Sequence, residues 1–251
     1  LVDKALAKYG YEEDERQVIA EVLLYAQKRG NNQGVVKLIG AGIPNGAAAE
    51  IEIIKESKVS AYIDAHQNHA MVVVNQAVTI ATQKAKEHGI AVVGVHGINT
   101  SSGALGYYAA KVAREGLVGM VFASSMETAA AAGSYEPIYG TNPFAIGVPG
   151  KKEPLVLDMA TAAMAYFGVV EASTAGRDLP DDIAYDKEGN ITVDPAKVLE
   201  GGALRTFGAG YKGSHISMMV QAIAGPLVGA AFMSVGDESA NWGGHLVIVI
   251  D

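Results

Sequence analysis

Residues 140–161 read GTNPFAIGVPGKKEPLVLDMAT, and the reading of the whole chain turns on them. Two short apolar runs, Phe144–Val148 and Leu155–Leu157, flank the turn Pro149-Gly150-Lys151-Lys152. That pattern predicts a β-hairpin or two neighbouring strands. Gly140-Thr141-Asn142-Pro143 leads into the first run, and Asp158-Met159-Ala160-Thr161 follows the second. Such ends offer bare backbone N–H and C=O groups together with short hydroxyl and amide side chains. These are the groups that hold a polar ligand against a rigid sheet. The same residues also suit a tight turn followed by an Asp/Thr helix cap.

Working outward, residues 70–123 read helix, strand, helix, strand. An Ala/Val-rich helix at 70–87 precedes the β-branched run Ile90 to Val95 and the loop HGINTSSG at 96–103. A helix from Ala104 to Glu115 and a buried strand from Leu117 to Ala123 follow. This alternation implies a layered α/β sheet. Residues 51–63 hold two short strands, and 124–139 form a polar, Ala-rich loop. Beyond the hairpin come a helix at 162–172, a turn-rich surface stretch at 178–195 and the glycine-rich turn GAGYKG at 208–213. A helix over about 214–228 and a strand at 246–250 complete the pattern. Residues 1–30 carry two amphipathic helices stopped by Gly10 and Gly30. The turn-like 40–49 is a candidate boundary, dividing a helical segment at 1–45 from an α/β unit at 46–251.

Composition narrows the function. With 49% apolar and 18% charged residues the chain is globular. A net charge of −8 and the lack of a Lys/Arg cluster disfavour nucleic-acid binding. No cysteine is present, which excludes a disulfide scaffold and a Cys-ligated metal. His66 and His69 follow Asp64 at a spacing that could ligate a metal. Without a third ligand, no metal site is expected. No apolar run reaches the roughly 18–20 residues of a membrane span, and the charged first residues do not read as a signal peptide. A cytoplasmic protein is the expectation. No GxGxxG lies between a strand and a helix, so a Rossmann phosphate loop is not supported.

The wording GTNPFAIGVP followed by LDMAT closely resembles the malate/L-lactate dehydrogenase family of NAD(P)-dependent oxidoreductases, the type-2 family unrelated to the Rossmann-fold enzymes of similar name. That family includes reductases of cyclic imine carboxylates. The resemblance runs over nearly the whole chain. It implies a non-Rossmann α/β sheet domain for the dinucleotide (46–251), beside a helical part (1–45) on the substrate and dimerisation side. It also implies a homodimer, a small carboxylate substrate, and NAD or NADP as cofactor. The implied reaction interconverts a 2-hydroxy acid and a 2-oxo acid. Two alternatives stand beside it: reduction of a cyclic imine carboxylate, and a non-catalytic dinucleotide-binding homologue.

The resemblance also carries residues. Ser125, Asp158, Met159 and Ala160 fall on the family's dinucleotide contacts, and Lys212 on a lysine expected near the phosphates. A Lys in a glycine-rich turn before a helix suits phosphate on physical grounds too. The substrate side departs from the family. The loop Arg29-Gly30-Asn31-Asn32-Gln33-Gly34 is one residue shorter, with Gln33 for a histidine and Lys37 for a carboxylate-binding arginine. In the 96–103 loop, Ser101 stands where the family has its acid–base histidine, and His96 lies five residues earlier. Gln33 cannot shuttle a proton. His96 or Lys37 is therefore the expected donor, with Ser101, His96, Gln33 and Lys37 as the catalytic candidates.

Overall fold

The computed structural model describes residues 1–38, 43–232 and 243–251. Part of the expected boundary at 40–49 lies outside them. Helices α1 (Val2–Ala7) and α2 (Glu13–Gln27) follow the apolar stripe of 1–30, burying Leu6, Ile19, Val22 and Leu23. A reciprocal capping box between Glu12 and Glu15 starts α2. Val35–Leu38 form a single 3-10 turn. Strands β1 (Glu52–Glu56) and β2 (Ser60–Asp64) pair antiparallel. Helix α3 (Ala70–His88) ends where Gly89 turns left-handed. Strand β3 (Ile90–Ile98), helix α4 (Gly106–Arg114) and strand β4 (Val118–Ala123) come next.

The stretch 124–139 is not only loop. It holds β5 (Ala129–Ala130) and β6 (Pro137–Tyr139), two strands too short to announce themselves by periodicity. Strands β7 (Phe144–Val148) and β8 (Leu155–Met159) make the expected hairpin, with Ile146 opposite Leu157. Helix α5 (Tyr166–Thr174) starts later than 162, because Ala162 is held in a bridge to Thr206. Then come β9 (Ala184–Tyr185), α6 (Pro195–Leu199), β10 (Ala203–Arg205), α7 (Tyr211–Ala224) and β11 (Gly243–Ile250).

Seven strands form the large sheet in the order β1-β2-β3-β11-β4-β7-β8. Only β2 and β3 are parallel, joined by α3 as crossover. The centre is β11, antiparallel to both β3 and β4. Helices α3 and α4 cover one face. There Val73, Val74 and Ala77 pack with Val93, Val95, Val121, Ala145 and Val247. Gly147 lets α4 approach: a Cβ there would overlap the backbone of Ala109. Leu6, Ile19, Val22 and Leu23 belong to this same core, so the N-terminal helices pack as part of the sheet unit. A second core, with Tyr139, Val169, Leu179 and Leu204, lies against the small sheet β6-β5-β10-β9. The far face of the large sheet carries Tyr62, Val228 and Leu246. On β7 and β8 that face leaves Val148, Leu155 and Leu157 exposed. Among the described residues no helix is long and apolar enough to cross a membrane.

Candidate functional site

A cavity of about 1180 Å³ is lined by four neighbouring pieces of backbone and two isolated residues. The pieces are the turn around 30–37, the loop between β3 and α4, the ends of β4, β7 and β8, and the segment from Ala162 to Pro180. The isolated residues are Phe207, after β10, and His245 on β11. The floor of small residues, Ala123, Ser124, Ser125, Ala160 and Ala163, leaves the volume open.

On one side Lys37 Nζ donates to Ser101 Oγ over 3.1 Å. The ammonium also lies 4.7 Å from the centre of the Phe167 ring. Burial pushes the Lys37 amine down from its ordinary value to about 8. Ser101 Oγ accepts a second bond from Gly103 N, at 3.2 Å. With both lone pairs engaged, the hydroxyl hydrogen of Ser101 is left to point at a ligand oxygen.

On the other side Asp158 Oδ2 accepts from Gly106 N at 2.8 Å. That N–H is one of the unpaired donors at the start of α4, where a carboxylate is favoured. Asp158 lines the cavity and is open to it. The protein packed around the carboxyl raises its pKa above the ordinary range, against the lowering pull of the Gly106 N–H. Gly106 has no room for a side chain, since a Cβ would stand 2.8 Å from Asp158 Oδ2 and 3.1 Å from Tyr25 Oη. At the end of β4, Ser125 Oγ accepts from Thr141 N at 3.0 Å, tying the β4 and β7 ends together.

Seven of the residues singled out in the sequence share this one cavity: Gln33, Lys37, Ser101, Ser125, Asp158, Met159 and Ala160. Gln33 is tied to its neighbour, its Nε2 donating to Asn32 Oδ1 at 3.2 Å. His96 and Lys212 are not part of the wall. His96 was expected in a loop, but β3 runs on to Ile98, with Asp64 opposite His96. Strand alternation then turns its ring to the far face of the sheet, where it stacks on Tyr62 at 4.9 Å. Lys212 was expected in a turn and instead sits exposed in the first turn of α7. That helix buries Gly213, Ser214, Ser217 and Gln221, so its periodicity turns Lys212 outward. The His66–His69 pair is also divided. His66 lies beside Glu52 and Asp64, while His69 is a buried cap whose Nδ1 accepts from Met71 N.

Arg177 and His245 are among the polar wall residues that the sequence reading missed. Arg177 reaches the wall from the stretch after α5, paired with Glu171 at 3.1 Å. His245 is 2% exposed, and neither ring nitrogen has a hydrogen-bond partner among the described residues. Burial pushes its pKa down to about 4, so the ring is neutral near pH 7. A histidine entering an alternating strand gives no hint that its face meets a cavity.

The sequence matches the malate/L-lactate dehydrogenase family over residues 1–251. It is 34% identical over 247 residues to the L-sulfolactate dehydrogenase of Methanothermobacter thermautotrophicus, covering 96% of this chain and 72% of that one. It is 33% identical over 263 residues to the malate dehydrogenase of Pyrococcus horikoshii, covering 99% and 73%. The fold superposes on the crystal structure of the Δ1-piperideine-2-carboxylate reductase of Pseudomonas syringae pv. tomato with a TM-score of 0.86. There the identity is 31%, and the match covers 100% of this chain and 79% of that one.

Proposed function

The chain belongs to the malate/L-lactate dehydrogenase family, and from that premise we propose that its cavity performs reversible hydride transfer between NAD(P)H and a small 2-oxo acid, with Lys37 and Ser101 handling the proton. One observation carries the assignment of roles: the Lys37 amine, lowered toward neutrality by burial, bonds to Ser101 Oγ at 3.1 Å inside the cavity.

The residues present fit a dinucleotide. The cavity is at the upper end of ligand-site volumes. Its wall holds Ser125, Asp158, Met159 and Ala160, and it carries two orphaned ring nitrogens on His245. A bound nicotinamide nucleotide supplies the hydride that passes to the carbonyl carbon. Ser101, its oxygen already accepting from Lys37 and Gly103, donates its hydrogen to the substrate oxygen. Lys37 returns a proton to Ser101, and its two remaining N–H donors are free for the substrate carboxylate. In the oxidative direction the same pair takes the proton back. An amine whose pKa lies near the working pH serves both directions.

A second reading, reduction of a cyclic imine carboxylate, is favoured by Gln33 and Ser101 standing where the family has histidines. An imine that arrives protonated needs orientation more than an acid. The deciding experiment measures oxidation of NADH and NADPH against a panel of 2-oxo acids and cyclic imine carboxylates. Turnover of 2-oxo acids that falls sharply in Lys37→Met supports the first reading. Turnover of imines alone, with Lys37→Met raising KM through the lost carboxylate contact but leaving kcat near wild type, supports the second. No turnover with any partner, despite dinucleotide binding, would leave a non-catalytic homologue.

We further propose a homodimer. A second copy would cover the apolar face that Val148, Leu155 and Leu157 present on β7 and β8.

A further inference from the structure

The wall of the cavity contains a side chain with two unmet hydrogen-bonding needs. His245 buries Nδ1 and Nε2 with no partner for either among the described residues. Its place in the sheet explains why nothing nearby satisfies them. Val95 of β3 and Ala123 of β4 flank it in register, and neither side chain can bond. The adjacent polar groups are spent on one another. Ser124 N donates to Gly244 O, Gly244 N donates to Ser124 Oγ, and the Ser124 hydroxyl donates to Ala224 O. A buried polar group left this way is uncommon in folded proteins and points to a missing partner.

The cavity that His245 lines is where such a partner would come from. A neutral imidazole offers one N–H donor and one lone-pair acceptor. A carboxamide meets one of these needs, its N–H₂ donating to the bare ring nitrogen; the two ring nitrogens point apart, so one carboxamide bonds only one of them. Ser125, on the wall just past the neighbouring end of β4, puts this ring on the side of the cavity assigned above to the dinucleotide. We infer that His245 is a cofactor-binding residue that hydrogen-bonds the carboxamide of the nicotinamide ring and holds that ring in one orientation. The inference rests on the nicotinamide reading of the cavity.

The test is a fluorescence titration of the whole protein with NADH and NADPH, and with their reduced 3-acetylpyridine analogues. The analogue keeps the carbonyl and lacks the N–H₂ group. Wild type should prefer the carboxamide about tenfold, the worth of one hydrogen bond. His245→Ala should bind NADH or NADPH about 10- to 100-fold more weakly and lose that preference. His245→Gln, which keeps a donor and an acceptor, should recover part of both. His245→Leu keeps the volume if the alanine variant does not fold. It should melt no lower than wild type without ligand, yet gain less Tm on adding dinucleotide. Equal loss for dinucleotide and analogue, with the preference intact, would mean a structural role and overturns the inference, as does wild-type affinity in His245→Ala. If wild type itself binds neither NADH nor NADPH, the reading of the whole cavity falls instead.

Discussion

Lys37 and Ser101 meet at 3.1 Å although 64 residues of chain separate them. The contact joins the 3-10 turn after α2 to the loop before α4.

Removing the Lys37 charge while keeping its length, in Lys37→Met, should lower kcat/KM about 10²–10⁴-fold, the range of a lost general acid. In the proposed mechanism the protonated amine is the acid, and burial lowers its pKa to about 8. The rate of 2-oxo acid reduction should therefore fall as pH rises through about 8, and oxidation should rise over the same interval. A pH–rate profile of wild type that is flat across this window contradicts the role.

Ser101→Ala should cost activity without costing stability, because the hydroxyl stands open to the cavity. In a double-mutant cycle with Lys37→Met the two losses should fall well short of additive, since they act through one bond. Steady-state kinetics on the four proteins read this directly. Additive losses would mean that the two residues work separately.

Gly106→Ala should both destabilise the fold and weaken dinucleotide binding. Its methyl would stand 2.8 Å from Asp158 Oδ2 and 3.0 Å from Asp158 Cβ. Overpacking of this kind costs about 1–3 kcal/mol, readable as a shift in the urea midpoint. A variant with unchanged midpoint and affinity would show that Asp158 moves aside freely.

Acid should unfold the protein earlier than its carboxylates require. Burial pushes His245 down to about 4, and burial together with the Lys37 charge pushes His69 down to about 3. The unfolded chain binds these protons near pH 6.5, before the folded one does. Stability is therefore full above that value and is lost as pH falls from it toward 4, by about 3 kcal/mol for His245 alone. Tm measured from pH 7 to pH 4 should fall, and His245→Leu should flatten part of the slope.

Leu155→Glu/Leu157→Glu should release monomers. These side chains are 75% and 45% exposed on an otherwise apolar face. Light scattering would show the change in mass, and an unchanged mass would place the contact between copies elsewhere.

Local patterns carried much of the fold. The alternation of Phe144–Val148 and the Pro149-Gly150 turn announced the hairpin, and the stripes of α2 and α3 announced those helices. Pairing between distant segments was not legible. Nothing near Leu246 says that its strand lies between β3 and β4, and the two-residue strands β5 and β9 exist only through their partners. For the candidate site, Lys37, Ser101, Ser125 and Asp158, which share the cavity, were singled out by matching short motifs. His96 was misplaced by one error, the length of β3: each residue added to a strand reverses the face of the next. His245 escaped for the converse reason. Its face is plain once β11 is located, and only the sheet locates it.

The position of β11 orders events during synthesis. Its neighbours β3 and β4 leave the ribosome long before it does. Until it arrives, β1-β2-β3 and β4-β7-β8 are separate half-sheets, each with a row of open peptide groups along one edge. Edges of that kind attract other strands, and partners so remote in sequence are slow to meet. A nascent chain of this protein is therefore most prone to aggregate just before β11 emerges, and His245 rides into the finished cavity on that strand.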